Sequence, residues 1–159
     1  MKQNFILPFA VLVIVFSSCK KNDPCPIDNR YDLDIQLVGV GKSLGSGFIK
    51  FRQNPDTARI ITLSTKVTHL LPYHSYLLQR AVNPIADPSG CSSQAWLTLG
   101  EGLQPKSIST NAYGNGSANL WRNVSAIARG TAFHIKFQVI DAETLLPVLI
   151  SDCHDYIVR

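Results

Sequence analysis

The sequence predicts an all-β chain, an antiparallel Greek-key β-sandwich of about eight strands. Three observations predict it. Of the 159 residues, 45% are hydrophobic and only 16% are charged, and the Val, Ile, Leu, Thr and Ser content suits an exported β domain better than a helical one. Apolar and polar residues alternate with period two over short segments, and Gly, Pro, Asn and Asp separate those segments. No long stretch shows the 3.6-residue period of a helix, and no internal repeat appears. A chain of this length holds one domain with a sizeable core.

The elements follow in order. Residues 1–18 read as an export signal: Lys2 is the positive start, Phe5 to Phe16 the apolar run, and Ser17-Ser18 the small residues before a cut. The run is short of the roughly 20 apolar residues that span a bilayer. The Ser17-Ser18-Cys19 end resembles a bacterial lipoprotein signal, which implies acylation of Cys19 and a membrane anchor worth about 0.8 kcal/mol per buried CH₂. Residues 19–30 then form a lipidated tether with Pro24 and Pro26. Lys20, not Asp, follows the Cys, so the start resembles that of outer-membrane lipoproteins of Gram-negative bacteria.

Residues 31–159 are the β domain. Strand one runs from Tyr31 to Val40, with Leu33, Ile35 and Leu37 inward and Asp32, Asp34 and Gln36 outward. Strand two is Phe48 to Gln53, and strand three is Arg59 to His69. Leu70-Leu71-Pro72-Tyr73-His74-Ser75-Tyr76 is a corner. Pro72 stops the strand because it has no N–H to donate, and Tyr76 opens strand four, Tyr76 to Val82. A loop carrying Cys91 leads to strand five, Ala95 to Leu99. Ser107 to Asn111 and Gly116 to Arg122 read as a hairpin. Val124 to Gly130 is a short helical or irregular connection. Thr131 to Asp141 is a strand with Phe133, Ile135, Phe137 and Val139 inward. Leu146 to Val158 is the last strand or pair of strands, with Cys153 in its middle.

The Leu-x-Pro-x-x-x-Tyr spacing resembles the tyrosine corner of fibronectin type III domains, which implies an immunoglobulin-like sandwich. Tyr76-Leu77-Leu78-Gln79-Arg80-Ala81, Cys91, Trp96-Leu97-Thr98-Leu99-Gly100, Thr110 to Gly116 and Leu149 to Cys153 resemble an uncharacterised type of bacterial lipoprotein domain. That likeness implies localisation and fold, not activity. A looser likeness is to the copper–zinc superoxide dismutase sandwich. It rests on Phe48-Ile49-Lys50-Phe51, the Leu-x-Pro corner near a histidine, and a loop Cys with a last-strand Cys. That enzyme needs a His-x-His pair, and His69, His74, His134 and His154 contain none.

The formal charge of +4 comes from cations spread along the chain, with no basic stripe interleaved with aromatics, so nucleic acid is not a predicted partner. Gly41-Lys42-Ser43 lacks the spacing of a phosphate loop. His69, His74, His154, Asp152 and Asp155 are the candidate metal ligands, but their spacing matches no ligand pattern. No Ser or Cys stands in a nucleophile elbow. Asp32 and Asp34 share a strand face, expected to be solvated. Tyr113, Trp96 and Trp121 are candidate protein or glycan contacts, with core packing expected for both tryptophans.

With Cys19 acylated, Cys25, Cys91 and Cys153 remain. The expected disulfide is Cys91–Cys153, with Cys25 free in the tether. The expected function is a membrane-anchored, non-catalytic binding or structural module that needs no cofactor and no metal. The alternative is an exported metalloenzyme related to superoxide dismutase.

Overall fold

The computed structural model describes residues 30–54 and 59–159. The export signal and most of the tether, with Cys19 and Cys25, lie outside the described residues. Within them the chain is all-β, with no helix. The strands are β1 Asp32–Gly39, β2 Ser46–Gln53, β3 Ile60–Thr68, β4 Ser75–Pro84, β5 Leu97–Thr98, β6 Gly100–Glu101, β7 Gln104–Pro105, β8 Ser107–Ser109, β9 Gly116–Asn123, β10 Ala132–Asp141, β11 Pro147–Ile150 and β12 His154–Ile157.

The long strands lie where alternation predicted them. Leu33, Ile35 and Leu37 of β1, Ile49 and Phe51 of β2, Ile61, Leu63 and Val67 of β3, and Ile135, Phe137 and Val139 of β10 all point into one core. The edge-on rings of Phe51 and Tyr156, 4.9 Å apart, and of Phe51 and Phe137, 6.2 Å apart, sit in that core.

All twelve strands belong to a single sheet. Its order is β5-β4-β10-β11-β1-β2-β3-β9-β6-β7, with β8 also on β4 and β12 also on β10. The Thr110–Gly116 bridge joins the end of β8 to the start of β9. The run β4-β10-β11-β1-β2-β3-β9 therefore comes back to β4 through β8, and the sheet is nearly closed into a barrel. The expected count of about eight strands is exceeded because residues 97–109 break into four short pieces. Gly100 and Gly102 cause the break. A Cβ on Gly100 would lie 1.8 Å from the Gln104 carbonyl oxygen, and Gly102 turns at φ +66°.

One further expectation is corrected, and one left open is decided. The predicted hairpin of residues 107–122 keeps only the Thr110–Gly116 bridge at its turn: beyond it β8 pairs with β4 and β9 with β3, so the two arms part at the seam where the barrel nearly closes. The last segment follows β10 along its whole length, but the register slips by one residue between Gln138–Ile150 and Ile135–His154. The segment is thus a pair of strands, as one of the two readings had it, with Cys153 in the slip between them.

The corner forms as predicted. Tyr76 is 1% exposed, and the Leu71 N–H donates to its hydroxyl at 3.0 Å. The corner docks on its neighbours through backbone bonds, from Leu70 N–H to Gly114 O and from Tyr73 N–H to Asn111 O. Gly114 is required there. It holds φ +71°, and a Cβ would lie 2.0 Å from the Leu70 carbonyl oxygen. The Thr110 hydroxyl donates to Leu71 O at 2.6 Å and accepts from His74 N–H at 3.0 Å.

The pairing register gives the barrel two distinct ends. Val38–Ser46, Ser46–Thr68, Val67–Gly116 and Tyr76–Asp141 are paired at the corner end. Asp32–Arg52, Ile60–Asn123, Phe133–Pro84 and Ala132–Ile157 are paired at the other. Arg30 also lies at this second end, where its carbonyl accepts from Ile157 N–H at 3.0 Å. The chain therefore enters the barrel away from the corner.

Candidate functional site

The strand period places the site. On β4 the core-facing residues are Tyr76, Leu78, Arg80 and Val82. On β9 they are Ala118, Leu120 and Arg122. Two arginines thus occupy positions that alternation reserves for the interior. Both line a cavity of about 60 Å³ in the second end of the barrel, walled by Phe51, Ile61, Leu63, Phe133, Ile135 and Phe137, among others. Tyr156 from β12 and Val124 and Ile127 from the loop after β9 complete the wall.

The wall is apolar and the two guanidinium groups are its exception. Arg122 donates to the Gly102 carbonyl at 3.2 Å. Arg80 has no hydrogen bond or ion pair with any described residue, and among the described residues no carboxylate faces either arginine in the cavity wall. Burial first, and then the like charge of Arg122, push the Arg80 guanidinium below its ordinary pKa. Guanidinium remains charged in proteins, so the cavity is cationic at neutral pH. Burial also holds the Tyr156 phenol far above its ordinary pKa. It stays protonated and donates to Gln53 Oε1 at 3.0 Å.

Nearby polar groups add donors, not acceptors. Gln53 Oε1 takes the Tyr156 hydroxyl and the Arg159 N–H, while Gln53 Nε2 is buried without a partner among the described residues. Arg59 donates to the carbonyls of Ser125 and Ile127, and its Nε is likewise buried without one. Among the described residues, Gln53 Nε2, Arg59 Nε and the Arg80 guanidinium are thus donors left without acceptors at this end of the barrel. An arrangement of that kind suits an anionic, acceptor-rich group.

The residues singled out from the sequence lie elsewhere and do not come together. His74 Nε2 stands 2.6 Å from Asp141 Oδ2, and Asp141 Oδ1 accepts the backbone N–H groups of Glu143 and Thr144. The Thr144 bond chiefly holds the Asp141 carboxyl down at a pKa of about 2, with the Glu143 N–H and His74 helping and burial opposing. This pair ties the corner to the β10–β11 turn. His134 pairs with Asp155 across β10 and β12. His154 stands apart from both pairs, its pKa lowered by burial, and His69 is exposed at φ 57°. Among the described residues, no group of three His, Cys, Asp or Glu is placed to hold a metal ion. Asp34 pairs with Arg52, and Asp32 accepts the Gln53 N–H and faces Arg159, so the two carboxylates of β1 are bound to cations.

Cys91 and Cys153 form the expected disulfide, with Cα atoms 5.7 Å apart. It fastens the loop after β4 to the bulge between β11 and β12. Both tryptophans depart from the core placement expected of them. Trp121 is 41% exposed and covers Gly102. Trp96 lies on the outer face, with Lys136 Nζ 5.1 Å above its ring. Tyr113 is 82% exposed at the corner end.

Arg80 and Arg122 were missed at the sequence level, although a signal was present. Arg80 is in phase with Tyr76 and Leu78, and Arg122 with Ala118 and Leu120. Treating charge as outward by default hid both. Compared with protein-family models, with curated proteins and with solved structures, the chain finds no match in any of the three.

Proposed function

We propose that this chain is a lipid-anchored, non-catalytic binding module of the bacterial outer membrane. The lipoprotein-like Ser17-Ser18-Cys19 end supports the anchor. The observation that carries the binding role is the apolar cavity with Arg80 and Arg122 turned into it. An unpaired charge in an apolar wall costs stability, and a fold retains such a group where it serves a ligand. The proposal includes the finer fold: the nearly closed sheet is a form of Greek-key, immunoglobulin-like sandwich. The Tyr76 corner, which carries the chain from β3 across to β4, supports that reading.

Two measurements test the function. Fractionation of cells expressing Cys19→Ala should move the chain from the membrane to the soluble fraction, and a variant as membrane-bound as its parent removes the anchor. Native mass spectrometry of the chain purified without detergent should show a small molecule released on denaturation. An empty chain whose melting temperature no small amphiphile shifts removes the binding role.

A further inference from the structure

We infer that the cavity takes a small amphiphile with one anionic head, a carboxylate on a hydrocarbon chain, with its head between Arg80 and Arg122 and its tail against the apolar wall. This inference rests on the binding role proposed above and assigns the ligand class. Three features of the site lead to it.

The first is charge. Two guanidinium groups from β4 and β9, the strands on either side of the β8 closure, share one apolar wall with no acid among the described residues to neutralise them. Arg80, in particular, has none of its five donors engaged by a described residue. A guanidinium matches a carboxylate in geometry as well as charge, and two can hold both oxygens of one head. Their mutual repulsion, seen in the lowered pKa of Arg80, turns to attraction when an anion lies between them.

The second is shape. The wall beyond the arginines is hydrocarbon and aromatic: Phe51, Ile61, Leu63, Ile135 and Phe137. A purely hydrophilic anion such as phosphate would leave that wall uncovered. A cavity of about 60 Å³ admits a few methylene groups, so a short chain fits inside and a longer one must extend from it.

The third is position. The Arg30 carbonyl is bonded to Ile157, next to the cavity residue Tyr156. Residues 19–30 can span at most about 40 Å. A chain anchored at Cys19 thus carries its entry point, beside the cavity, within that distance of the bilayer. Fatty carboxylates present in the membrane and short carboxylates in solution share the required chemistry, and the experiment separates the two sources.

The test is isothermal titration calorimetry on the full chain carrying Cys19→Ala, which has no acyl group of its own to compete. The probes are octanoate, 1-octanol, octylammonium, and palmitate supplied in phosphatidylcholine vesicles. Octanoate should bind at least tenfold more tightly than 1-octanol, and octylammonium should not bind. Arg80→Met should erase the preference for octanoate, while Arg80→Lys should keep part of it. Tighter binding of octanoate than of palmitate identifies a ligand from solution, and the reverse identifies one from the membrane. Equal binding of octanoate and 1-octanol overturns the anionic-head assignment and leaves the binding role standing. No binding of any probe overturns both. Should Arg80→Met fail to fold, the order of the probes on the parent chain decides alone.

Discussion

At the scale of single residues, two of the side chains that hold the corner, Tyr76 and Asp141, can be tested alone. The Tyr76 hydroxyl accepts from Leu71 N–H inside the core boundary. Tyr76→Phe leaves that donor without its partner and should cost about 1–3 kcal/mol, read as a lower urea midpoint. An unchanged midpoint would show that water replaces the hydroxyl. Asp141 makes the second contact, and it titrates. Its folded pKa of about 2 lies below the roughly 3.9 of an unfolded Asp. The unfolded chain therefore binds this proton first as pH falls. The stability Asp141 contributes is complete above about pH 4 and is lost as pH drops toward 2. Asp141→Asn cannot titrate, so between pH 5 and pH 2.5 its urea midpoint should fall less than that of the parent. Equal falls would place the acid sensitivity in other groups. Tyr76 was legible from its spacing after Pro72. Asp141 was legible only as the last residue of a strand, because nothing in the local sequence brings His74 to it across 67 positions.

Among elements, the long strands could be read from period-two alternation and the short ones could not. β5 to β8 are two or three residues each, too short for a period to show. Their breaks depend on where Gly100 lets the chain pass close to Gln104. The parting of residues 107–122 into strands with different partners is a tertiary result. The turn at residues 111–115 has hairpin composition, and only the docking of Leu70 against Gly114 separates its two arms. Gly114→Ala therefore meets both a positive φ and a backbone clash, and it should destabilise by at least about 2 kcal/mol. A thermal melt indistinguishable from the parent would contradict this. The Cys91–Cys153 bond closes 62 positions. The chain-entropy account gives it about 4 kcal/mol. Reduction should lower the urea midpoint accordingly, and peptide mapping without reductant should recover Cys91 joined to Cys153. Full alkylation of Cys91 before reduction would contradict the pairing.

For the molecule as a whole, the two ends of the barrel have different work. The corner end is locked by the Tyr76, Asp141 and Gly114 contacts. The other end holds the chain's entry at Arg30, the donor-rich groups around Gln53 and the cavity. Stability and the proposed function are thus separated along the barrel axis, and under that proposal Arg80 is kept for a ligand and not for the fold. Equilibrium urea unfolding of the parent and of Arg80→Met, each with and without octanoate, tests it most directly. Without octanoate, Arg80→Met should be as stable as the parent or more so, because the substitution removes an unpaired charge from an apolar wall. With octanoate, the parent midpoint should rise and that of Arg80→Met should not. A markedly less stable Arg80→Met, with the same rise in both proteins, would rule out a ligand role and make Arg80 a structural residue.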